Sequence, residues 1–381
     1  MSKANSAKLD SKAAINRIKV ESLPYSVYSG QEPIIPYGED NLYPNRLINA
    51  IKKSPTAKGC AEMLAMFVQG NGLAFGGDMV VNRDGETMDD ILGKAVKDYS
   101  ELNGFCLHFN FNILGQITEI FAIDIKYVRK SKDLKTAQFG VWNNQSWYNR
   151  FITVDLYNPD CVVDRIEQEG INKYNGQLLF FTKGYDIYPD SPLDSASISA
   201  DFEKSVQIYQ YATINNSFSG SGVLKVPTMG QGEKADKNIQ KAKDNLESIH
   251  GADKAGSFMT MPIPVDTDGK LQNTALFESF SPNNIDSLFV NQNAKAKENI
   301  LSVYRMPEVL LGTSSKGMFN QASYNDAFDY KNADTERDRK IVERVFQKVI
   351  DNSIFPIPQV EIVPLEMKNS QVDETVEVIN E

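Results

Sequence analysis

The sequence is poor in the residues that build metal and disulfide centres. Its 381 residues include two histidines and three cysteines, and the cysteines (Cys60, Cys106 and Cys161) are widely spaced with no CxxC pair. Zinc sites need sulfur or imidazole ligands at short spacing, and disulfide scaffolds need several paired cysteines. We therefore expect no bound metal, no cofactor and no disulfide framework, and the cysteine content fits a reducing compartment.

Long apolar runs are also missing. No stretch of 18 or more apolar residues occurs, so we expect no transmembrane helix and no membrane partner. The first 22 residues lack the apolar segment of a secretory signal peptide, so secretion by that route is not expected.

A surplus of positive charge is absent as well. The chain has 40 basic and 50 acidic side chains and a net charge of −10. Proteins that hold DNA tightly neutralise phosphates with a basic face. The composition therefore argues against high-affinity DNA binding, although it leaves a local basic patch open.

Catalytic motifs are missing too. His108 lies in an alternating pattern and His250 stands beside Gly251, positions typical of packed or capping histidines. Neither HExxH nor GxSxG occurs, and in LLGTSSKGM Lys316 precedes Gly317, the wrong order for a phosphate-binding loop. Paired carboxylates fall in turns or on solvated helix faces. We expect no catalytic residue and no enzymatic activity.

Periodicity predicts an α+β fold. Apolar residues at helical spacing predict three helices before residue 104, the third over residues 88–102 with Thr87 as its N-cap. Alternation over residues 104–185 predicts a sheet, with a hairpin at residues 114–116 and strand character from 141 to 163.

A second group of elements follows the predicted sheet. A helix is predicted with Asp190 or Ser191 as its cap and Pro192 in its first turn. Beyond it we predict the strand VLKVP, a lysine-rich helix NIQKAKDNLESIHG, and two strands in FMTMPIPV and LFESF. Near the end of the chain, FPIPQVEIVPLEM is predicted to be a strand or an extended segment.

The most informative stretch covers residues 284–352. A helical segment reaches Pro307, the patch TSSKGMFN follows, and residues 321–352 then continue without glycine or proline. Such a helix would be about 45 Å long. Its ends are apolar and its middle, KNADTERDRK, is charged. Two interpretations stay open, namely a surface helix of one domain or a spoke that bridges two layers.

Four stretches together resemble the portal proteins of tailed double-stranded DNA bacteriophages, in the short form of long-tailed phages and prophages. YPDSPLDSAS resembles the family's G-x-SPL helix start, with the usual Tyr-Gly before Ser-Pro-Leu replaced by Tyr188, Pro189 and Asp190. HGADKAGSFMTMPIPV resembles its junction between helix and insert. In FVNQNAKAKENILSVYRMPEVLLG, residues 304–307 stand for Phe-Gly-Val-Pro and Glu308 for a second proline. NQASYNDAFDYKNADTERDRK resembles its long helix.

The resemblance covers about residues 40–365 and implies a portal fold. That fold has an α/β wing, two stem helices, a small β-containing clip, a tunnel loop and a long wing helix, with the crown minimal or absent. The implied divisions are a flexible arm (1–39), wing (40–232), stem helix (233–250), clip (251–283), stem helix (284–304), tunnel loop (305–321), long wing helix and C-terminal strand (322–365), and an acidic disordered tail (366–381).

The resemblance also implies a function. A ring, usually of twelve subunits, would sit at one capsid vertex of the virion, made in the host bacterial cytoplasm, and double-stranded DNA would pass through it during packaging and ejection. Implied protein partners are the terminase large subunit, a head–tail adaptor, the major capsid protein and a scaffolding protein. A net acidic ring fits this role because few retained phosphate contacts mean little drag on DNA.

Two sets of residues are expected to face the channel. The tunnel-loop set is Ser314, Ser315, Lys316, Gly317, Met318 and Phe319. The basic stem candidates are Lys241, Lys243, Lys295 and Lys297, each of which also fits a solvated helix face.

Two alternatives remain open at this point. A metal-dependent phage nuclease would require a carboxylate cluster, and another structural head–tail connector ring is the second alternative. Such connector proteins are generally much shorter, so the length of the chain weighs against that one.

Overall fold

Three N-terminal helices begin the described part of the chain. The computed structural model describes residues 34–142, 151–184, 186–216, 222–228, 258–264, 277–279, 285–312 and 321–367. Helices α1 (Tyr43–Lys53), α2 (Pro55–Gln69) and α3 (Met88–Leu102) lie where periodicity predicted them. Thr87 forms the predicted N-cap of α3 as one half of a capping box with Asp90.

A six-stranded mixed sheet follows, which confirms the α+β prediction. Its strands β1 (Gly104–Phe111) and β2 (Ile117–Ile123) form the predicted hairpin. The strand order is β2-β1-β6-β5-β4-β3, antiparallel except for the pair β5 and β6. The other four strands are β3 (Val128–Lys130), β4 (Thr136–Phe139), β5 (Ile152–Leu156) and β6 (Gln177–Thr182).

The predicted strand character up to residue 163 is wrong at its end. Residues Val162–Glu169 form helix α4. Val162 and Ile166 are its buried residues, four apart, so VVDRIEQE buries one helical face while its charged residues face water. The two adjacent valines favoured a strand locally, but the spacing of the apolar residues decides the structure.

Helix α5 (Ser197–Asn216) begins later than predicted, so the predicted cap at Asp190 or Ser191 is wrong. The Ser191 hydroxyl donates to the carbonyl oxygen of Glu101 at 2.6 Å and accepts from the N–H of Leu193. These contacts fix Ser191 to the end of α3, and a 3-10 turn at Asp194–Ala196 separates it from α5. The SPL motif is therefore a tether to α3 rather than the helix start.

A buried carboxyl group lies on α3. Asp98 is 7% exposed, and its Oδ2 accepts the N–H of Ile125 at 2.9 Å. Burial raises the pKa of Asp98 from 3.8 to about 7, and the nearby Asp124 acts in the same direction. Below about pH 7 the folded chain therefore keeps Asp98 protonated, whereas in the unfolded chain the same carboxyl group ionises near pH 4.

Asp98→Asn should make the protein more stable in mild alkali. When the pKa of an acid is higher in the folded than in the unfolded chain, the protein becomes less stable as the pH rises between the two values, here from about 4 to about 7. Asparagine keeps an acceptor for Ile125 but cannot ionise, so we expect a gain of roughly 2 kcal/mol at about pH 8 and little difference near pH 4. Urea unfolding of both proteins at the two pH values measures it, and an equal offset at both would contradict it.

A long helix packs against the helices and the large sheet. Helix α7 (Gln321–Ile350) follows helix α6 (Ile285–Val303), both as predicted. The ring of Phe328 lies 5.0 Å from that of Phe67, and the ring of Phe346 lies 6.0 Å from that of Phe105. The buried residues of α7 are spaced three or four apart along one face. They are Phe328, Lys331, Thr335, Arg339, Val342, Phe346, Val349 and Ile350.

Among the described residues, the expectation that α7 packs only at its two ends is wrong. Its charged middle contributes Lys331, Thr335 and Arg339 to the buried face, 1%, 0% and 5% exposed. The helix therefore packs against one body through its middle as well as its ends.

None of the helices in the described ranges is long and apolar enough to cross a membrane.

A second sheet has three strands in the order β8-β7-β9. Strands β8 (Phe258–Pro264) and β9 (Phe277–Ser279) are the two predicted strands of the insert, and β7 (Gly222–Thr228) runs between them. The resemblance assigned β7 to the wing, but it pairs with the insert strands. Pro262 and Pro264 have no N–H, and their two-residue spacing puts both nitrogen atoms on the same side of β8, which suits its place at the edge of the described three-stranded sheet.

Several predicted elements fall outside the described residues. These are the N-terminal arm up to residue 33, the lysine-rich helix at 238–251, and the tail from residue 368. The segment before the tail is extended and joins residues 71–74 through the bridge between Leu73 and Ile362.

Candidate functional site

The candidate site consists of the two segments that precede and follow residues 313–320. The six predicted tunnel-loop residues lie outside the described part of the chain. The structure does describe the two supports on either side, namely the end of α6 with its following turn and the beginning of α7. These supports decide how residues 313–320 are attached to the body.

The end of α6 is a Schellman motif with arginine where glycine is usual. Arg305 has φ +47°, its N–H donates to the oxygen of Ser302, and the N–H of Met306 donates to the oxygen of Leu301. This is the left-handed position that favours residues without a Cβ. Arg305 occupies the position of the glycine in the Phe-Gly-Val-Pro motif that residues 304–307 resemble. The left-handed backbone gives a reason for a glycine there, and this chain adopts it with an arginine.

Arg305→Gly should therefore stabilise the protein. Relief of the left-handed backbone should contribute about 1 kcal/mol. It would be offset in part by the loss of the contact from Arg305 Nη1 to Asp334 Oδ1, 3.2 Å long, because Arg305 is mostly exposed. We expect a net gain of about 0.5 kcal/mol in urea unfolding. Arg305→Ala is the control and should destabilise, because it loses the contact and keeps a Cβ.

After the Schellman motif, Pro307 begins a 3-10 turn at Glu308–Leu311, and Gly312 ends it with φ +68°. Glu308 occupies the first position of the turn, where a proline would also fit. Its carboxylate accepts from Lys297 Nζ at 2.7 Å, so an ion pair braces the turn against α6.

The basic stem prediction is only partly addressed by the described residues. Lys295 is exposed, whereas Lys297 is half-buried and committed to Glu308. Lys241 and Lys243 lie outside the described ranges. Lys297 therefore has a structural role that sequence reasoning missed, and the proposal that Lys295 faces DNA rests on its exposure alone.

Lys331 of α7 holds the carboxyl end of α6. Its Nζ donates to the carbonyl oxygen of Tyr304 at 2.9 Å, to that of Arg305 at 3.4 Å, and to Asp334 Oδ2 at 2.9 Å. The last carbonyls of a helix lack internal partners and carry partial negative charge, which a cation stabilises. Burial disfavours ionisation of Asp334, but the hydrogen bonds from Lys331 and Arg305 outweigh it and lower its pKa.

Arg339 of α7 holds the carboxyl end of α2. Its Nη1 donates to the oxygen of Phe67 at 2.9 Å and to Thr335 Oγ1 at 2.9 Å, and its Nη2 donates to the oxygen of Asn332 at 2.8 Å. Helix α2 ends two residues after Phe67. The long helix therefore binds the carboxyl ends of two other helices through two buried cations.

Sequence reasoning missed both cations, although a signal was present. Lys331, Thr335 and Arg339 continue the apolar stripe of α7 at a spacing of four, which marks them as buried. The charge density of KNADTERDRK hid that spacing.

The described residues contain no candidate metal-binding cluster. No group of three or more histidine, cysteine, aspartate or glutamate side chains that could hold a metal occurs among them. His108 Nε2 lies 2.7 Å from the oxygen of Asn175, and its ring packs near that of Phe121. Both contacts fit the packed histidine that the sequence predicted. His250 lies outside the described ranges.

Comparison with known proteins shows the fold. No family model matches the sequence, and no curated protein matches it. The structure is similar to a chain in the virion of the native gene transfer agent particle, with a TM-score of 0.50, 15% identity, and 86% of this chain and 84% of that chain covered. It is also similar to a chain in the neck of the empty particle computed with C6 symmetry, with a TM-score of 0.50, 13% identity, and coverage of 86% and 85%.

A third structure is less similar. It is the crystal structure of an HK97-family phage portal protein from Corynebacterium diphtheriae, with a TM-score of 0.40, 10% identity, and coverage of 73% of this chain and 82% of that chain. At this level the similarity adds no argument of its own. The two gene transfer agent structures span most of both chains and establish a shared α+β fold.

Proposed function

We propose that this chain is the subunit of a portal ring that forms the DNA channel at one vertex of a phage capsid. The observation that carries the proposal is the fold shared with chains of the gene transfer agent virion and neck over most of the chain. The four motifs that resemble portal proteins occur in the same chain in the family's order. The neck structure was computed with sixfold symmetry, which supports a closed ring and is compatible with twelve subunits.

In this proposal the three N-terminal helices, the six-stranded sheet and α7 form the wing. Helix α6 is one stem helix and residues 233–250 the other. The clip is the three-stranded sheet with β7 included, which begins earlier than the resemblance placed it. Residues 313–320 are the tip of the tunnel loop, and the crown is minimal or absent.

The supports of the loop fit such a channel. Lys331 and the Schellman motif fix the end of α6 to α7, so residues 313–320 start from a position held by buried contacts. They return to the exposed first turn of α7, whose first buried residue is Phe328. A loop on fixed supports can contact moving DNA without displacing the body of the subunit. The acidic net charge of the chain limits retained phosphate contacts.

The partners follow from the ring. We propose that the clip binds the terminase large subunit during packaging and a head–tail adaptor afterwards, and that the wing contacts the major capsid protein and a scaffolding protein. The ring itself would have no enzymatic activity, since ATP hydrolysis would belong to the terminase. Its location would be the portal vertex of the virion, after synthesis in the host bacterial cytoplasm.

Electron microscopy of the purified protein tests the ring directly. We expect closed rings with a central channel and a sedimentation coefficient well above that of a 42.6 kDa monomer. A monomer at every concentration and salt tested, with no ring in negative stain, would overturn the proposal.

Replacing the six residues Ser314–Phe319 with a glycine–serine segment of equal length tests the loop. Because the buried supports remain, we expect rings to form as in the wild type, while packaging or retention of DNA falls severalfold. The readouts are ring images and nuclease-protected DNA per particle. Normal packaging by this variant would remove the assigned role of the loop without contradicting the ring.

A further inference from the structure

A groove lies on the side of α2 that faces α1 and α3. Its volume is about 490 Å³. Ala61, Ala65 and Met66 of α2 form an apolar floor, and Met66 is 44% exposed. This surface of the α2 helix is therefore left uncovered by the residues that the structure describes.

Lysines line the rim of this groove. They are Lys52 at the end of α1, Lys58 on α2 and Lys97 on α3. Glu62 and Glu101 each lie 3.7 Å from one of them, so the rim carries one net positive charge. On a chain with a net charge of −10, a positively lined apolar groove favours an occupant that is both acidic and apolar.

The described chain ends beside this groove. Gly70 lines the groove, and a Cβ added there would lie 2.1 Å from the carbonyl oxygen of Val363. The next residue, Asn71, bonds to the oxygens of Val363 and Pro364 at 2.8 and 3.0 Å. Leu365 then accepts from Asn332 of α7, and the last described residue is Met367. Because Met367 is only four residues beyond Val363, the chain that follows starts within about 14 Å of this end of the groove.

Length and sequence both suit that following segment as the occupant. Residues 368–381 can span about 46 Å when extended, and the groove follows α2 for about 18 Å. The segment KNSQVDETVEVINE has four acidic residues and one basic residue. Val372, Val376 and Ile379 have the i, i+4, i+7 spacing of an amphipathic helix that lies in a groove. Segments of such composition can order when they bind a complementary surface.

We propose that residues 368–381 occupy the groove of their own chain. The valine and isoleucine side chains cover the floor of α2, and the carboxylates face the three lysines. This assignment does not depend on ring formation.

Cross-linking of cysteine pairs tests the proposal. In a Cys161→Ser background, which removes the exposed cysteine and leaves the buried Cys60 and Cys106, Glu62→Cys is paired with Val376→Cys, because Glu62 is exposed and lies in the groove away from the end at Gly70. The control pairs Val376→Cys with Ile113→Cys, which is exposed on the distant β1–β2 hairpin. With a short bismaleimide we expect about tenfold more intrachain product for the groove pair, because docking holds residue 376 beside α2 and so raises the effective concentration of that pair above that of the control.

Charge reversal separates docking from chance contact. Lys58→Glu with Lys97→Glu should reduce the product of the groove pair severalfold, and Glu374→Lys with Glu377→Lys should restore it. The two lysines are more than half exposed, so these changes leave the fold intact. Equal product in both cysteine pairs, or no response to charge reversal, would overturn the proposal. Product only between chains would also overturn it, since the occupant would then be the tail of a second copy.

Discussion

Replacing Lys331 with methionine is expected to lower the free energy of unfolding by about 3–5 kcal/mol. Methionine keeps the length and apolar stem of the side chain but removes the ammonium group. The carbonyl oxygens of Tyr304 and Arg305 would lose a buried donor, and Asp334 would lose its 2.9 Å partner. Urea unfolding followed by circular dichroism measures the change.

Lys340→Met is the matched control. Lys340 lies on the same helix and pairs with Glu336, but both side chains are more than half exposed. Its loss should cost no more than about 0.5 kcal/mol. If the Lys331 and Lys340 variants unfolded at the same urea concentration, the contacts of Lys331 would not stabilise the attachment of α6 to α7.

Arg339→Met should cost about 3 kcal/mol. The guanidinium is the donor to the oxygens of Phe67 and Asn332, and it also bonds to Thr335 Oγ1. Burial lowers the pKa of Arg339, but an arginine is so strongly basic that the guanidinium stays charged. The variant would leave two buried carbonyl groups without that donor, and we expect hydrogen exchange to rise first at the end of α2.

Arg344→Met on the same helix is its control, because Arg344 is exposed. We expect a change within about 0.5 kcal/mol. The double variant Lys331→Met/Arg339→Met should show nearly additive losses, since the two side chains are eight residues apart and hold different helices. No increase in exchange at α2 in the Arg339 variant would show that this contact does not hold the helix end.

Local sequence patterns predicted much of the fold because many helices and strands contain the residues that start, continue and end them. The helix at 88–102 carries its own cap, and the hairpin at 114–116 carries its own turn residues. Prediction was wrong where tertiary contacts decided. Ser191 bonds to Glu101 of another helix, so it could not cap the helix that follows it in sequence.

The candidate site was harder to predict than the fold. Its position came from a helix-breaking proline and a loop between long helices, which are local features. Its chemistry came from Lys331, whose partners are 26 and 27 residues away in sequence. Charged residues in a dense charged run give no local indication that some of them are buried, so only the four-residue spacing could have identified them.

The two buried cations of α7 also determine how the folded chain would respond to force. Lys331 and Arg339 are eight residues apart, about 12 Å along the helix axis. If α7 slid along its axis, the hydrogen bonds at both positions would be strained together. Under such a shear load, both sets of bonds must break at the same time. A pull transmitted through residues 313–320 would therefore move α2, α6 and α7 as one stiff unit.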